Sequence, residues 1–535
     1  LIYISIFLFK NNIFSKLSPI SRVFLSSKIL LEVEKTLLLV AEDVGTFKVC
    51  LASICNNGNS LHCFQKDNIS TFFLTLPSSP IIIYSTIAVS ESLSSKAVDY
   101  TIMMLIYLVL LCLLCHNVSR ANVGRLVCYY DAASYSRQGP AHMSLDDLEP
   151  ALNFCNFLVY GYVGIDVDTF KIKTHEEDSQ QFTRITSLRR KYPHVRFLLS
   201  VGGDQDLNEE GKVETANYMS LIADPEKRNS FRASANILLN SYGFDGLDLA
   251  WQFPKMSEKK ENVFKQAWLT IKSWFRFSSQ SLELQIAEIQ QQFGQLVREL
   301  RIDLQQSGKL LTFSVLPHVD VEMFVDVSSV MGYLDFVNLN TYDFQTPEYN
   351  PKEADIPSSL NHMYDRNPTH NIKHHVDWWL NATSNHQQLN LGVVAYGRTW
   401  IMSQKSGITG YPPIYKTDGP GPAGNATRLA GLLSWPEICQ QLQHPQQPDQ
   451  DTPHLRKVGD PTKRFGVYAY RSADENGANG LWVGYEDPTT AAIKAGYAQA
   501  LGLGGVALHD LSLDDFRGQC AGEKYPILRS IKYKL

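Results

Sequence analysis

Short runs of apolar, β-branched and aromatic residues recur along the chain at 125–131, 157–166, 196–203, 243–251, 310–317, 336–344, 389–397 and 504–511. Between them lie stretches whose apolar positions fall at helical spacing: 144–153, 179–191, 225–241, 281–304, 319–332, 372–380 and 487–501. Runs of the first kind read as buried strands, and stretches of the second kind as amphipathic helices. Helices alternating with strands predict an α/β protein with a parallel sheet, and eight such strands predict a closed (β/α)8 TIM barrel. Helix starts carry suitable caps: Ser144 with Asp147 three residues on, and Asp224 ahead of Pro225.

Two spacings exceed what a bare barrel needs. Residues 255–300 hold more than one helix, including a charged, aromatic segment with Trp268, Trp274 and Phe275. An aromatic stripe of this kind is expected to pack against its own barrel more often than to form a partner surface. Residues 398–503 hold a Pro/Gly-rich stretch, 410–424, and a hairpin pattern at 465–470 and 480–485, which predicts a small α+β insertion between strands 7 and 8. A Gln/His/Pro/Asp run at 440–453 reads as a solvated loop.

The first 102 residues show no sustained helical or strand period, and the first methionines are Met103 and Met104. An apolar run follows to Cys115, shorter than the about 20 residues that span a bilayer but suited to a secretory signal. Residues 1–102 are therefore expected to be non-coding or a gene-model artefact, 103–121 a signal peptide, and 122–535 the exported barrel, with no membrane insertion.

The 535 residues carry 49 Lys+Arg against 54 Asp+Glu, a net charge of −5, without the clustered positive field that nucleic acid requires. Among nine cysteines there is no Cys-x-x-Cys outside the apolar run and no Cys/His group at zinc spacing, so neither metal nor cofactor is expected. Beyond the leader, Cys128, Cys155, Cys439 and Cys520 form an even set that allows three pairings. Two N-x-T sequons, at Asn381 and Asn425, follow a helix and a Pro/Gly loop and are expected to be exposed.

On the fourth strand the chain reads Asp245-Gly246-Leu247-Asp248-Leu249-Ala250-Trp251-Gln252-Phe253-Pro254. Alternate residues of a strand share a face, so Asp248, Ala250 and Gln252 are expected to point into the barrel. This segment resembles the D-G-x-D-x-D-W-E-Y-P motif of the glycoside hydrolase family 18 chitinases. The resemblance extends to Ser200-Val201-Gly202-Gly203, Tyr342-Asp343-Phe344, Tyr396-Gly397-Arg398, Gly504-Gly505 and Asp514-Asp515-Phe516, and so spans nearly all of 125–520.

The resemblance implies a substrate-assisted mechanism in which a glutamic acid protonates the glycosidic oxygen and a nearby aspartate steadies the charged intermediate. Gln252 stands at the first position and Ala250 at the second. An amide cannot act as an acid near neutral pH and a methyl group cannot balance positive charge, so each loss removes roughly 10²–10⁴-fold of general acid–base catalysis. Asp245 and Asp248 are expected to serve structure. His509 stands where the family has a tryptophan beneath the sugar, Asn340 where it usually has methionine, and Asp204 where it has an aromatic.

Within the inactive branch the chain is similar to the insect imaginal disc growth factor group of chitinase-like proteins, through Gln252, the insertion after strand four and the ending 510–518. That likeness implies a protein secreted into haemolymph that promotes proliferation and tissue development through an unknown receptor or extracellular partner. A chitin-oligosaccharide lectin or matrix organiser is the alternative, with Tyr342, Asp343, Tyr396, Arg398 and His509 as its sugar cleft. The family pattern and the topology favour disulfides Cys128–Cys155 and Cys439–Cys520, contributing roughly 3 to 4.5 kcal/mol each by chain entropy.

Overall fold

The computed structural model describes residues 38–39, 60–66, 69–75, 84–86, 124–174, 176–203, 215–254, 282–317, 319, 321–442, 454–474 and 477–535. The chain divides into two compact units, Leu1–Ala121 and Asn122–Leu535. In the first, Ser60–Lys66 pairs antiparallel with Ile69–Thr75, and Tyr84–Thr86 and Leu38–Leu39 complete a four-stranded sheet. The hairpin arises from aromatic and β-branched content, in a region whose sequence shows no sustained period. The expected leader at 103–121, the aromatic insertion at 255–281, Asp204 and residues 443–453 lie outside the described residues.

In the second unit, eight parallel strands close on themselves: β1 Arg125–Asp131, β2 Phe157–Ile165, β3 Arg196–Gly202, β4 Gly246–Ala250, β5 Leu310–Val315, β6 Phe336–Leu339, β7 Leu389–Val394 and β8 Gly505–His509. Each pairs with its neighbours in sequence, and β8 pairs with β1, so the sheet has no open edge within the barrel. This is the (β/α)8 barrel expected from the alternation of runs.

Alternation along each strand explains its burial on both faces. In β5, Leu311 and Phe313 join the apolar shell beneath the helices, while Thr312 and Ser314 face the axis. The lowest inner layer is apolar, built from Val127, Val159, Leu198, Phe336 and Ala507. Above it lies a polar layer, described below.

The helix Leu145–Leu152 starts at a Ser144/Asp147 capping box, and Pro225–Tyr242 starts at Asp224, whose side chain accepts from the backbone of Glu226 and Lys227. The latter stops at Gly243, in the left-handed conformation that glycine adopts freely. The stretch 319–332, expected as one helix, is broken into Val321–Phe324 and Val327–Val330 because Asp326 caps the second turn through Ser328 N–H.

The insertion after β7 is a five-stranded antiparallel sheet in the order Leu432–Ser434, Tyr396–Met402, Gly480–Tyr485, Val467–Arg471, Arg456–Gly459. It has its own core around Trp400, Trp482, Tyr468 and Tyr470. Where the insertion rejoins the barrel, Lys494 of helix Pro488–Ala500 and Glu486 form a buried ion pair, with Ser358 bonded to both. Burial lowers the Lys494 pKa, and the Glu486 charge opposes that shift.

Two disulfides staple this unit. Cys128 of β1 is bonded to Cys155 just past the first helix, and Cys439 of helix Trp435–Gln441 is bonded to Cys520 in the C-terminal segment. No helix among the described residues is long and apolar enough to cross a membrane.

The buried pair yields a stability prediction. Lys494→Ala should cost about 3–5 kcal/mol by leaving Glu486 uncompensated. The double variant Lys494→Met with Glu486→Leu should cost less than the sum of the single losses, measured by denaturant unfolding.

Candidate functional site

The residues of β4 set the frame. Leu247, Leu249, Trp251 and Phe253 face outward into the apolar shell, where Trp251 meets Tyr218 and Phe231 edge-on, at ring-centroid distances of 5.0 and 6.1 Å. The alternate residues Asp248, Ala250 and Gln252 take the inner side, at 0, 0 and 3% exposure. Close packing of β3 on this strand requires glycine. Gly202 has a φ of +111°, and a Cβ there would meet the Ala250 carbonyl at 2.1 Å, while one on Gly203 would meet the Tyr162 ring at 2.4 Å.

Asp248 is enclosed by hydroxyl donors from the strands on either side. Ser200 donates at 2.7 Å, Thr312 at 2.6 Å and Ser314 at 2.9 Å. Ser314 also shares a hydrogen bond with Tyr129, Asn338 donates to Tyr129 at 2.9 Å, and Asn390 donates to Asn338 at 2.8 Å. Burial pushes the Asp248 pKa above the ordinary carboxylate value, against the three hydroxyl bonds that favour its charged form. Enclosed in this way, Asp248 is fully buried and its carboxylate oxygens are engaged by hydroxyls of the neighbouring strands.

Asp245 differs in position. It sits just before β4 at the opposite end of the barrel, accepting from the Phe197 N–H at 2.8 Å and from Arg189 at 3.3 Å. These contacts hold it at the lower rim and not inside the core, because it precedes the first inward position of the strand.

At the C-terminal mouth, Asp343 adopts a φ of 57° and is 5% exposed. It accepts from Tyr396 at 2.7 Å and from both Nε and Nη2 of Arg398, at 2.9 and 2.5 Å. Burial works to lower the Arg398 pKa, but the charges and hydrogen bonds of Asp343 and Tyr396 together outweigh it and the pKa is raised. Tyr342 packs edge-on against Tyr396 at 6.3 Å, and burial raises the pKa of both phenols.

His509 ends β8 within a nest of aromatic rings. Its centroid lies 4.9 Å from Tyr129, 6.0 Å from Tyr342 and 6.1 Å from Tyr162, with which it is stacked. Nε2 of His509 and the Tyr162 hydroxyl share a hydrogen bond of 2.6 Å. Asn340, on the same face as Asn338, is 6% exposed, and its amide finds no hydrogen-bond partner among the described residues.

The structure thus gathers Asp343, Tyr396 and Arg398 into one cluster, and Tyr342 joins it to His509. Asp248 belongs to the polar layer beneath. Tyr129, Tyr162, Thr312, Ser314, Asn338 and Asn390 were not singled out from sequence, although their period-two placement on strands marks them as inward-facing. Asn381 and Asn425 are both exposed. No group of three or more His, Cys, Asp or Glu among the described residues is arranged to hold a metal ion.

Residues 125–514 match the family model described as Glycosyl hydrolases family 18. The chain is 60% identical over 423 residues to the chitinase-like protein Idgf5 of Drosophila melanogaster, covering 78% of this chain and 94% of that one. It is 44% identical over 426 residues to imaginal disk growth factor 6 of the same species, covering 77% and 93%. Among solved structures it is similar to the catalytic domain 2 of the group II chitinase of Ostrinia furnacalis, with a TM-score of 0.62 and 27% identity over 77% of this chain and 96% of that one. A mutant of that domain has been solved with a penta-N-acetylchitooctaose, (NAG)5.

The Asp248 cage makes a pH-dependent prediction. A carboxyl whose pKa is raised on folding contributes stability that is fully present below its unfolded pKa and is lost as pH rises through the folded value. Thermal unfolding of wild type and Asp248→Asn between about pH 4 and about pH 7 should therefore show the wild-type advantage shrinking as pH rises. Asp248→Ala, which strands three buried hydroxyls, should destabilise by about 3 kcal/mol or more at every pH.

Proposed function

This chain is a chitinase-like member of glycosyl hydrolases family 18, and from that premise we propose that it is a secreted growth factor without hydrolase activity, promoting cell proliferation and tissue development. One observation carries the loss of activity. The inward position that ends β4 and the one two residues beyond it, where the family mechanism calls for an aspartate and a glutamic acid, hold Ala250 and Gln252. The carboxylates that remain nearby are committed, Asp248 to hydroxyls and Asp343 to Arg398 and Tyr396. Neither is available to protonate a leaving group.

The growth-factor role draws on the similarity to Idgf5 and to imaginal disk growth factor 6. The apolar run 103–115 supports export, and haemolymph is the compartment proposed. The partner is a cell-surface receptor or another extracellular protein, and no cofactor is invoked. Protein secreted from insect cells should stimulate proliferation of cultured insect cells while showing no turnover of chito-oligosaccharides. Ala250→Asp combined with Gln252→Glu should leave the proliferative response unchanged. Turnover by the wild type, or absence of proliferation, would refute the proposal.

The second reading is a chitin-oligosaccharide lectin. The amide of Asn340 favours it, since a buried amide without a partner among the described residues leaves hydrogen-bonding capacity for a ligand or water. The stacked and partly exposed rings of Tyr162 and His509 add apolar surface. A chito-oligosaccharide titration followed by tryptophan fluorescence should saturate under this reading and should fail to saturate in His509→Ala. A flat wild-type titration would leave the growth-factor reading alone.

A further inference from the structure

A cavity of about 510 Å³ opens between the loop after β1, the insertion and the C-terminal segment, within the size range of small-ligand sites. It lies apart from the His509 nest and the Asp343 cluster, and none of their residues lines it. One wall carries Asn425, the acceptor of an N-x-T sequon, exposed in a turn.

That turn is held from beneath. Glu437 Oε1 accepts from the N–H of Ala426 at 2.6 Å and of Thr427 at 3.3 Å, and its Oε2 accepts from the Ser434 N–H at 2.9 Å. The Thr427 hydroxyl donates to the Leu432 carbonyl at 2.9 Å. Asn425 therefore projects from a fixed backbone.

The chemistry of the walls selects a neutral occupant. Arg137 pairs with Asp131 and donates to Ser512, and Arg517 donates to the carbonyls of Pro140 and His142 at 2.8 and 2.7 Å. Asp515 accepts from the N–H of Gln519 and Cys520 at 2.8 and 2.6 Å. Each of these charged side chains already has hydrogen-bond partners, and Arg137 and Arg517 stand against Asp515 and Glu437 in the same lining, so the wall offers an ionic ligand no net charge. Proline rings at 140, 422 and 436 supply apolar surface beside these polar groups. A sugar, with hydroxyls and C–H faces on one ring, suits such a mixture.

We infer that the cavity is the seat of the protein's own N-glycan, attached at Asn425, whose proximal sugars bridge the insertion to the loop after β1 and the C-terminal segment. The inference rests on the export reading above, because the sugar is added only along the secretory route. Asn381, exposed at the end of helix Ile372–Ala382, is the internal control.

The test uses the whole protein secreted from insect cells. Glycopeptide mass spectrometry should find both sequons occupied. Enzymatic deglycosylation of the native protein should release the Asn425 glycan at least about tenfold more slowly than that at Asn381, equivalent to about 1.4 kcal/mol of docking. The difference should vanish after denaturation. Ala423→Trp, which fills the cavity from an exposed wall position and keeps the sequon, should make native release at Asn425 as fast as at Asn381. Failure of the cells to secrete the protein would overturn this inference together with export, and bare asparagines at both sites would overturn the docked glycan alone. Asn381 occupied with Asn425 bare, or equal native release rates in the wild type, would overturn the docked glycan alone.

Discussion

A carboxylate at the centre of a barrel must be surrounded by donors before the strands can close around it, because a buried charge or acid group left unpaired costs several kcal/mol. Asp248 meets that demand with hydroxyls from β3 and β5, and the same hydroxyls pass the network on to Tyr129 of β1, Asn338 of β6 and Asn390 of β7. Six of the eight strands are thereby tied through one layer of hydrogen bonds. A network of this kind is stable only when complete. This gives Asp248 a purpose independent of catalysis, and explains how the barrel can hold Ala250 and Gln252 two and four residues further on without losing its centre.

The barrel was legible because its strands are buried on both faces, and continuous apolar runs broken by amphipathic stretches have few other readings. Strand ends were less so. The run 336–344 continues beyond the four hydrogen-bonded residues of β6 because Asn340–Asp343 remain buried after the ladder stops and Phe344 is partly buried, with Asp343 turned into the left-handed region. The run 389–397 read as one strand, yet it crosses from the barrel to the insertion at Ala395. Burial is continuous there while the hydrogen-bond partners change, the Ala395 N–H donating to His509 of β8 and its carbonyl accepting from Trp435 of the insertion, so no pattern of apolar residues marks the change.

The site was legible in part for a related reason. The period of two along β4 places Asp248, Ala250 and Gln252 on one face, a local property. Which side chains surround Asp248 depends on neighbouring strands 48 to 66 residues away in sequence, and which rings surround His509 depends on partners as distant as Tyr129 on the first strand of the barrel. Isolated serines, threonines and tyrosines carry no signal of such pairing until the register is known. The Asp343–Arg398 pair likewise joins the end of β6 to the first strand of the insertion, so the charged cluster stands at their junction.

The sulfur bridge between Cys439 and Cys520 has a consequence for how the molecule tolerates damage. Between those two cysteines lie three strands of the insertion, the helix Pro488–Ala500 and β8, the strand that joins β7 to β1. A single cut of the backbone anywhere in that interval leaves two fragments still joined through sulfur. Where the break precedes β8, the last stave of the barrel remains tethered to the helix Trp435–Gln441 on its other side. In an oxidising milieu, continuity of the fold is thus separable from continuity of the polypeptide over this interval, and a nicked molecule keeps the connection it needs to stay closed.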